Sequence, residues 1–309
     1  MLMLDPNLLG TVAAVIREGS FERAAHTLHV TASAVSQRIR QIEEQLGVIL
    51  IVRGAPCMAT DMGMRLCRHA ETVAMLEHDL RVNLPHFVLH GKATTRSTLR
   101  VVVNADSLAT WLMELIAAFA AKTDTLIDIA VDDQDQTEEW LRRGQAIAAV
   151  TSQSRPVQGF RARRLGQLNY VAVASPRFVA RWFENGVTAD ALAQAPCLVF
   201  NHKDQLQERW ASSVFRRNVA LSAHRIPAPH AFLEAAIRDL GWGMHPRSLI
   251  EPSLLDGQLV EMLPGRGLDV VLYWQWSAIR APLLDSLSEH IFRAAANELD
   301  HSASSRQLK

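Results

Sequence analysis

Four polar side chains recur at helical spacing in the stretch TASAVSQRIRQIEEQLG, residues 31–47. At about 100° per residue, Ser33, Ser36, Gln37 and Arg40 fall within one arc, and Val35, Ile39, Ile42 and Leu46 fall on the other side. A merely solvated face of this length more often carries Glu and Lys. Serine and glutamine are short, uncharged hydrogen-bonding groups and arginine is long; these types read base edges and phosphates in a major groove. Arg38 and Arg53 add cations that phosphates attract. The residues expected to bind DNA are therefore Ser33, Ser36, Gln37, Arg38, Arg40 and Arg53.

A second set of polar groups follows the apolar runs of the second half. Asp106, Ser107 and Thr110 follow LRVVVN (99–104), Asp132 and Asp133 follow LIDIAV (126–131), Thr151 and Ser152 end AIAAVT and its run, and Asn201, His202 and Asp204 follow CLVF (197–200). In two-lobed α/β folds, ligands sit in the crevice at the carboxyl ends of strands. Asp106 or Ser107 can cap the helix that follows, whose N-terminus favours a carboxylate. A cationic ligand group needs an acid, and Asp106, Asp133 or Asp204 can supply one. The residues expected to bind a small ligand are Asp106, Ser107, Thr110, Asp133, Thr151, Ser152 and Asp204.

The elements that must hold these groups change character along the chain. The first 60 residues read as helices: Leu8, Leu9, Val12, Val15 and Ile16 on the first; Phe21, Ala24, Ala25 and Leu28 on the second; the rod from Thr31 on the third. Gly19 and Gly47 serve as stops, and Ser20 and Thr31 as caps. Two helices so close together, separated by His29 and Val30, suit a helix-turn-helix, with residues 48–59 as an extended wing. A long helix is expected from about Thr60 to Pro85, with Leu66, Ala70, Val73, Leu80 and Leu84 as a seam for a partner chain. Beyond a polar hinge, strands and helices alternate, which implies a parallel sheet with right-handed crossovers and two α/β lobes.

Composition closes off several classes. The 309 residues are 49% hydrophobic, and 32 Lys+Arg balance 32 Asp+Glu. The chain is globular, and its global charge points to no partner. No apolar run approaches a membrane span, and MLML lacks the basic start of a signal peptide. Cys57, Cys67 and Cys197 read as thiols in a reducing cytosol. His69, His78, His86 and His90 have no zinc spacing. No Ser-His-Asp set, P-loop or paired nucleotide fingerprint is present, so neither enzyme nor cofactor nor metal is expected.

TASAVSQRIRQIE (31–43) resembles the recognition-helix signature of LysR-type transcriptional regulators. GSFERAAHTLHV (19–30), then LGVILIVR (46–53) followed by Thr60 and Gly63, match that family in the same order. The resemblance implies an α/β architecture: a winged helix-turn-helix (1–60), a linker and dimerisation helix (61–89), and an effector domain resembling type 2 periplasmic binding proteins (90–309). In that domain lobe I is expected over about 99–166 and 267–300, and lobe II over about 167–266. It also implies operator DNA and RNA polymerase as partners, a dimer or tetramer, a cytoplasmic location and no membrane. VNADSLATW (103–111), LRRG (141–144), NGVT (185–188) and LYW (272–274) are similar to the LysG/ArgP-type subgroup that controls basic amino-acid export. That implies lysine or arginine as effector and an exporter gene as target. Some members are described as inhibitors of replication initiation, so the alternative is a replication-origin or nucleoid DNA-binding protein without effector-switched transcription. Residues 1–60 carry five Arg and five acids, and the wing GAPCMA has no basic residue. Each phosphate neutralised adds roughly 0.9 to the salt slope. Weak nonspecific affinity and dependence on oligomerisation are therefore expected.

Overall fold

The computed structural model describes residues 4–83, 98–131, 137–279 and 281–300, with 78–83 as backbone only. The N-terminal unit is α1 (Pro6–Glu18), α2 (Phe21–Thr27), α3 (Ala32–Leu46) and a two-stranded wing, β1 (Ile51–Val52) antiparallel to β2 (Met58–Ala59). The local signals explain the boundaries. Gly19 (φ 63) and Gly47 (φ 67) end α1 and α3 in the left-handed conformation that glycine adopts without a Cβ clash. The Ser20 hydroxyl accepts from the backbone N–H groups of Glu22 and Arg23, and Thr31 accepts from that of Ala34. Each cap contributes on the order of 1 kcal/mol. Val35, Ile39 and Ile42 are buried against α1 and α2, and Leu46 is half-buried.

The linker helix α4 runs Asp61–Asn83, and Pro85, expected to end it, lies outside the described residues. The expected seam is only partly a free surface. Leu66 is buried in the DNA-binding unit and Ala70 packs on that same core, while Met75 is buried with the core of the C-terminal domain. The start of this helix therefore lies on its own chain. Leu80 and Leu84 fall outside what can be described of side chains.

The C-terminal part is a mixed α/β domain on one curled sheet. β3 (Thr98–Val103) leads into α5 (Ala105–Ser107), a π-helical turn (Leu108–Leu112) and α6 (Met113–Thr123); β4 (Leu126–Val131), α7 (Thr137–Arg142) and β5 (Ala148–Thr151) follow. These three strands are parallel, as the alternation implies. Next come β6 (Phe160–Ala174), α8 (Pro176–Trp182), α9 (Ala189–Gln194), β7 (Cys197–Val199), α10 (Leu206–Phe215), β8 (Ala223–Arg225) and α11 (Pro229–Ile237). The chain continues through β9 (Gly243–Pro246), α12 (Arg247–Leu255), β10 (Val260–Glu261), β11 (Leu268–Ser277) and α13 (Pro282–Glu298).

One expectation needs correction. The second set of strands is not a separate start at Asn169, because β6 is a single 15-residue strand, paired antiparallel with β11 from Phe160 to Tyr170. Its first half escaped the apolar pattern because Arg161, Arg163 and Arg164 interrupt it; Arg163 instead stacks on Phe292 at 4.1 Å. The sheet runs β10-β6-β11-β5-β3-β4, with β9 also on β6. The β6–β11 register shifts between Leu272 and Tyr273, opposite Gly166. That bulge bends the ribbon where it passes from one half to the other.

His245 on β9 is fully buried against Phe232, ring centroids 4.8 Å apart. Burial pushes its pKa down to about 3. The folded protein keeps this ring neutral while the unfolded chain takes up a proton below about 6.5. His245 therefore withdraws stability as pH falls from about 6.5 towards 3, by about 1.4 kcal/mol per pH unit. Burial raises Glu71 on α4 to about 7, which acts with the opposite sign: its stability contribution rises as pH falls from about 7 to 4.5. The two oppose each other between roughly pH 6.5 and 4.5. His245→Leu leaves the Glu71 effect in place. Between pH 7.5 and 5, the change in stability of the variant is expected to be more favourable than that of the wild type by about 2 kcal/mol in urea unfolding. Identical pH dependence in the two proteins contradicts the assignment.

Candidate functional site

Ser33, Gln37 and Arg40 are exposed on α3 and Ser36 is half-exposed beside them, so the polar arc is open. Arg38 is not part of it: helical geometry puts it at least about 100° round from these four, at the flank of the buried stripe. Arg53 leaves β1 and lies over the Phe21 ring at 5.1 Å, at the start of α2. The two close helices are spaced by His29 at φ 53, and Val30 donates its N–H to the Ala25 carbonyl at 3.0 Å.

Three acids of this unit are engaged within it. Glu43 Oε1 accepts from the backbone N–H groups of Leu50 (2.8 Å) and Ile51 (3.2 Å), tying the end of α3 to the wing. Glu18 accepts from the Thr27 hydroxyl, and Glu22 from that of Ser20. None of these three acids sits among the α3 polar arc, which carries Arg40 and, one turn further on, the exposed Glu44. Thr60 joins wing to linker: its N–H donates to the Leu50 carbonyl at 2.9 Å, its hydroxyl to that of Ile49 at 2.8 Å. Gly63 lies against the same strand start, where a Cβ would meet the Leu50 oxygen at 2.1 Å.

The second site is a cleft of about 460 Å³ between the ends of β3, β4 and β5 on one side and the segment from Phe200 to Arg209 on the other. Of the expected ligand residues, Asp106, Ser152 and Asp204 line it. Ser107 and Thr151 are buried and are not among the lining residues; Thr151 accepts from the Gln153 N–H at 3.2 Å. The Thr110 hydroxyl is spent on the Asp106 carbonyl at 2.7 Å. Asp132 and Asp133 lie outside the described residues.

The cap was misassigned. The helix begins at Ala105, and Asn104 caps it by accepting from the Ser107 N–H at 2.9 Å. Asp106 and Ser107 are therefore inside the first turn. Asn104 also lines the cleft, and its Nδ2 is buried with no protein partner among the described residues. An asparagine directly after a strand and immediately before a helix is a capping signal that could have found it. Lys203 and Arg209 line the cleft too, and no periodicity marks them, because they come from a loop and a short helix of the far wall.

The two acids differ. Asp204 accepts from the Phe200 and Leu206 N–H groups (2.8 and 3.0 Å) and from Gln207 Nε2 at 3.4 Å, so both its oxygens hold the loop together. Asp106 Oδ2 accepts from the Tyr170 hydroxyl at 2.6 Å, its only side-chain bond among the described residues. Burial raises the Asp106 carboxyl to about 6, with the Tyr170 bond pulling it down and the Asp204 charge pushing it up. Burial, and the Asp106 charge beside it, push Tyr170 well above its ordinary value, so the phenol stays a donor. The cleft thus has an ionisable acid on one wall, and Lys203, Arg209 and the loop-bound Asp204 on the other, charges of both signs that suit a zwitterion.

Residues 6–64 match the model for the bacterial regulatory helix-turn-helix protein, lysR family, and residues 92–296 match the LysR substrate binding domain. The chain is 41% identical over 302 residues to the HTH-type transcriptional regulator LysG of Mycobacterium tuberculosis, covering 96% of both chains. It is 40% identical to the HTH-type transcriptional regulator ArgP of Pseudomonas aeruginosa, covering 97% of this chain and 98% of that one. Among solved structures, ArgP from Mycobacterium tuberculosis superposes with a TM-score of 0.80 at 39% identity, over 97% of this chain and 100% of that one. Full-length LysG from Corynebacterium glutamicum with bound effector Arg gives a TM-score of 0.71 at 29% identity, over 96% of this chain and 100% of that one.

Proposed function

This chain belongs to the LysR family of bacterial transcriptional regulators, and on that premise we propose that the small effector it responds to is arginine or lysine. The observation that carries this reading is Asp106, a cleft carboxylate with one oxygen on Tyr170 and no second partner for its side chain among the described residues, facing a wall that holds Lys203 and Arg209. In this reading Asp106 meets the effector's cationic end, and Lys203, Arg209 and the Asn104 amide meet its carboxylate. The arginine held by the Corynebacterium glutamicum LysG supports the same chemistry. The target is a basic amino-acid exporter gene, transcribed by RNA polymerase from a promoter this protein binds as a dimer or tetramer.

DNA is read by Ser33, Ser36, Gln37 and Arg40, with Arg53 on a phosphate at the wing. The domain division is 1–60, 61–89 and 90–309, the lobes parting at the Gly166 bulge. An effector biases the DNA-binding state only through its different affinity for the two states. The alternative of a replication-origin or nucleoid binder without switching is not favoured, because a domain of the family's substrate-binding type spans residues 92–296.

The test is a gel-shift titration of the promoter region with and without arginine or lysine, on wild type, Arg40→Ala and Arg38→Ala. Wild-type binding is expected to shift with either amino acid and not with glutamate. Arg40→Ala is expected to weaken binding roughly tenfold or more, and Arg38→Ala to change it less than threefold. No response to either amino acid would remove the effector claim, and unchanged affinity in Arg40→Ala would remove the reading of the α3 face.

A further inference from the structure

The DNA-binding half and the effector domain touch within one chain, away from the cleft. Arg68 of α4 passes between two turns of the effector domain that carry no side chain. A Cβ on Gly144 would stand 3.3 Å from Arg68 Cγ, and one on Gly159 would stand 3.7 Å from Arg68 Nη1. Both glycines have positive φ, 60° and 86°. Near this plug, Arg143 Nη1 lies 3.8 Å from the Met58 sulfur on the second strand of the wing. One turn beyond Arg68, the half-buried Glu71 carboxyl feels Arg17 at the end of α1 and Arg100 on β3. Wing, linker and effector domain therefore meet at one junction.

That junction is joined to the cleft by a pinned loop. Ser152 and Gln153 line the cleft, and the same segment ends at Gly159 beside Arg68. Between them the wholly buried Gln275 amide holds the loop at three points. Its Nε2 donates to the carbonyls of Gln153 and Arg155, both at 3.0 Å, and its Oε1 accepts from the Val157 N–H at 3.1 Å. A loop fixed this way moves as a body, because each bond lost strands a buried polar group.

We propose that Arg68 and Arg143 are positioning residues that carry the state of the effector cleft, through the 152–159 loop, to the linker helix and wing. This rests on the reading that the cleft binds arginine or lysine, and the experiment separates the two ideas. Arg68→Ala removes the plug and leaves every cleft residue in place. In the ligand-free protein it is expected to loosen the two halves, seen as a larger radius of gyration by small-angle scattering and faster proteolysis near the linker. Its arginine Kd by calorimetry stays within about twofold of wild type. The factor by which saturating arginine changes operator affinity, typically 5- to 150-fold where sites are coupled, falls to within about twofold of one. Arg143→Ala moves that factor in the same direction. A merely structural role would lower both affinities and leave their ratio. Unchanged scattering and proteolysis in Arg68→Ala overturn the latch whatever the cleft binds. So does a coupling factor equal to wild type in both variants. Wild type that gives no heat with arginine or lysine overturns the effector reading alone, and the ligand-free measurements then decide the latch.

Discussion

Asp106→Asn is expected to lower arginine and lysine affinity by at least about 30-fold in calorimetric titration, while leaving the fold intact. Truncating one partner of a largely desolvated charged pair costs about 2–5 kcal/mol, which corresponds to roughly 30- to several thousand-fold. Asparagine keeps the shape and still accepts from the Tyr170 hydroxyl that lies 2.6 Å from the carboxylate. The variant should be no less stable at neutral pH. The carboxyl, raised to about 6, costs stability when ionised, and the folded protein regains that as pH falls from about 6 to its unfolded value near 3.8. The same shift sets a binding profile. A cationic ligand needs Asp106 ionised, so wild-type affinity is flat above about pH 7 and falls by up to tenfold per unit below about 6. Asp106→Asn should show no such fall. A variant with wild-type affinity, or a wild type whose affinity rises on acidification, would show that another group meets the cation.

The second large effect is structural. Gly63→Ala places a Cβ 2.1 Å from the Leu50 carbonyl oxygen and 3.0 Å from its carbon, against backbone rather than a flexible side chain. That carbonyl already accepts from the Thr60 N–H, and Thr60 Oγ1 in turn accepts from the Gly63 N–H at 3.1 Å. Relieving the overlap breaks the joint between wing and linker. A loss of roughly 3 kcal/mol or more is expected in the DNA-binding unit, at the upper end for overpacking, and operator binding is lost with it. Arginine binding by the effector domain should survive. Gly10, in α1 with nothing within 4 Å of its Cβ position, is the control: Gly10→Ala is expected to stabilise by about 0.5–1 kcal/mol. Wild-type melting and operator affinity in Gly63→Ala would refute the reading.

The family pairing of Thr60 and Gly63 was visible in the sequence, and its cause was not. Nothing about glycine at 63 announces that Leu50, thirteen positions earlier, sits on it. The same gap separates the other hits from the misses. α3, its caps and its open polar arc were legible because a helix is written in spacings of three and four residues. β3, β4 and β5 were legible as apolar runs between helices. Phe160–Leu168 was missed because its burial depends on β11, more than a hundred residues away, and because its arginines look like a solvated segment. The linker seam was overread for the converse reason: Leu66 and Ala70 have the period of a dimer interface, yet α1 occupies them.

The acids show the limit most clearly. Asp106 and Asp204 were both candidates for a cation, and residue type alone ranks them equally. Asp204 proves to be committed to the backbone of its own loop, whereas Asp106 is paired with a phenol 64 positions along the chain. Sequence by itself determined the N-terminal helices, the first three strands of the C-terminal part, the open polar side of α3 and the family, because those are carried by periodicity and local capping, interactions that close within a few residues. Tertiary structure alone decided which of Asp106 and Asp204 is committed to its own loop, which cations stand across the cleft, and that Arg68 lies between two glycines. Those depend on where hydrogen-bond capacity is spent and where space is left, and both are settled by segments that meet only once the chain has folded.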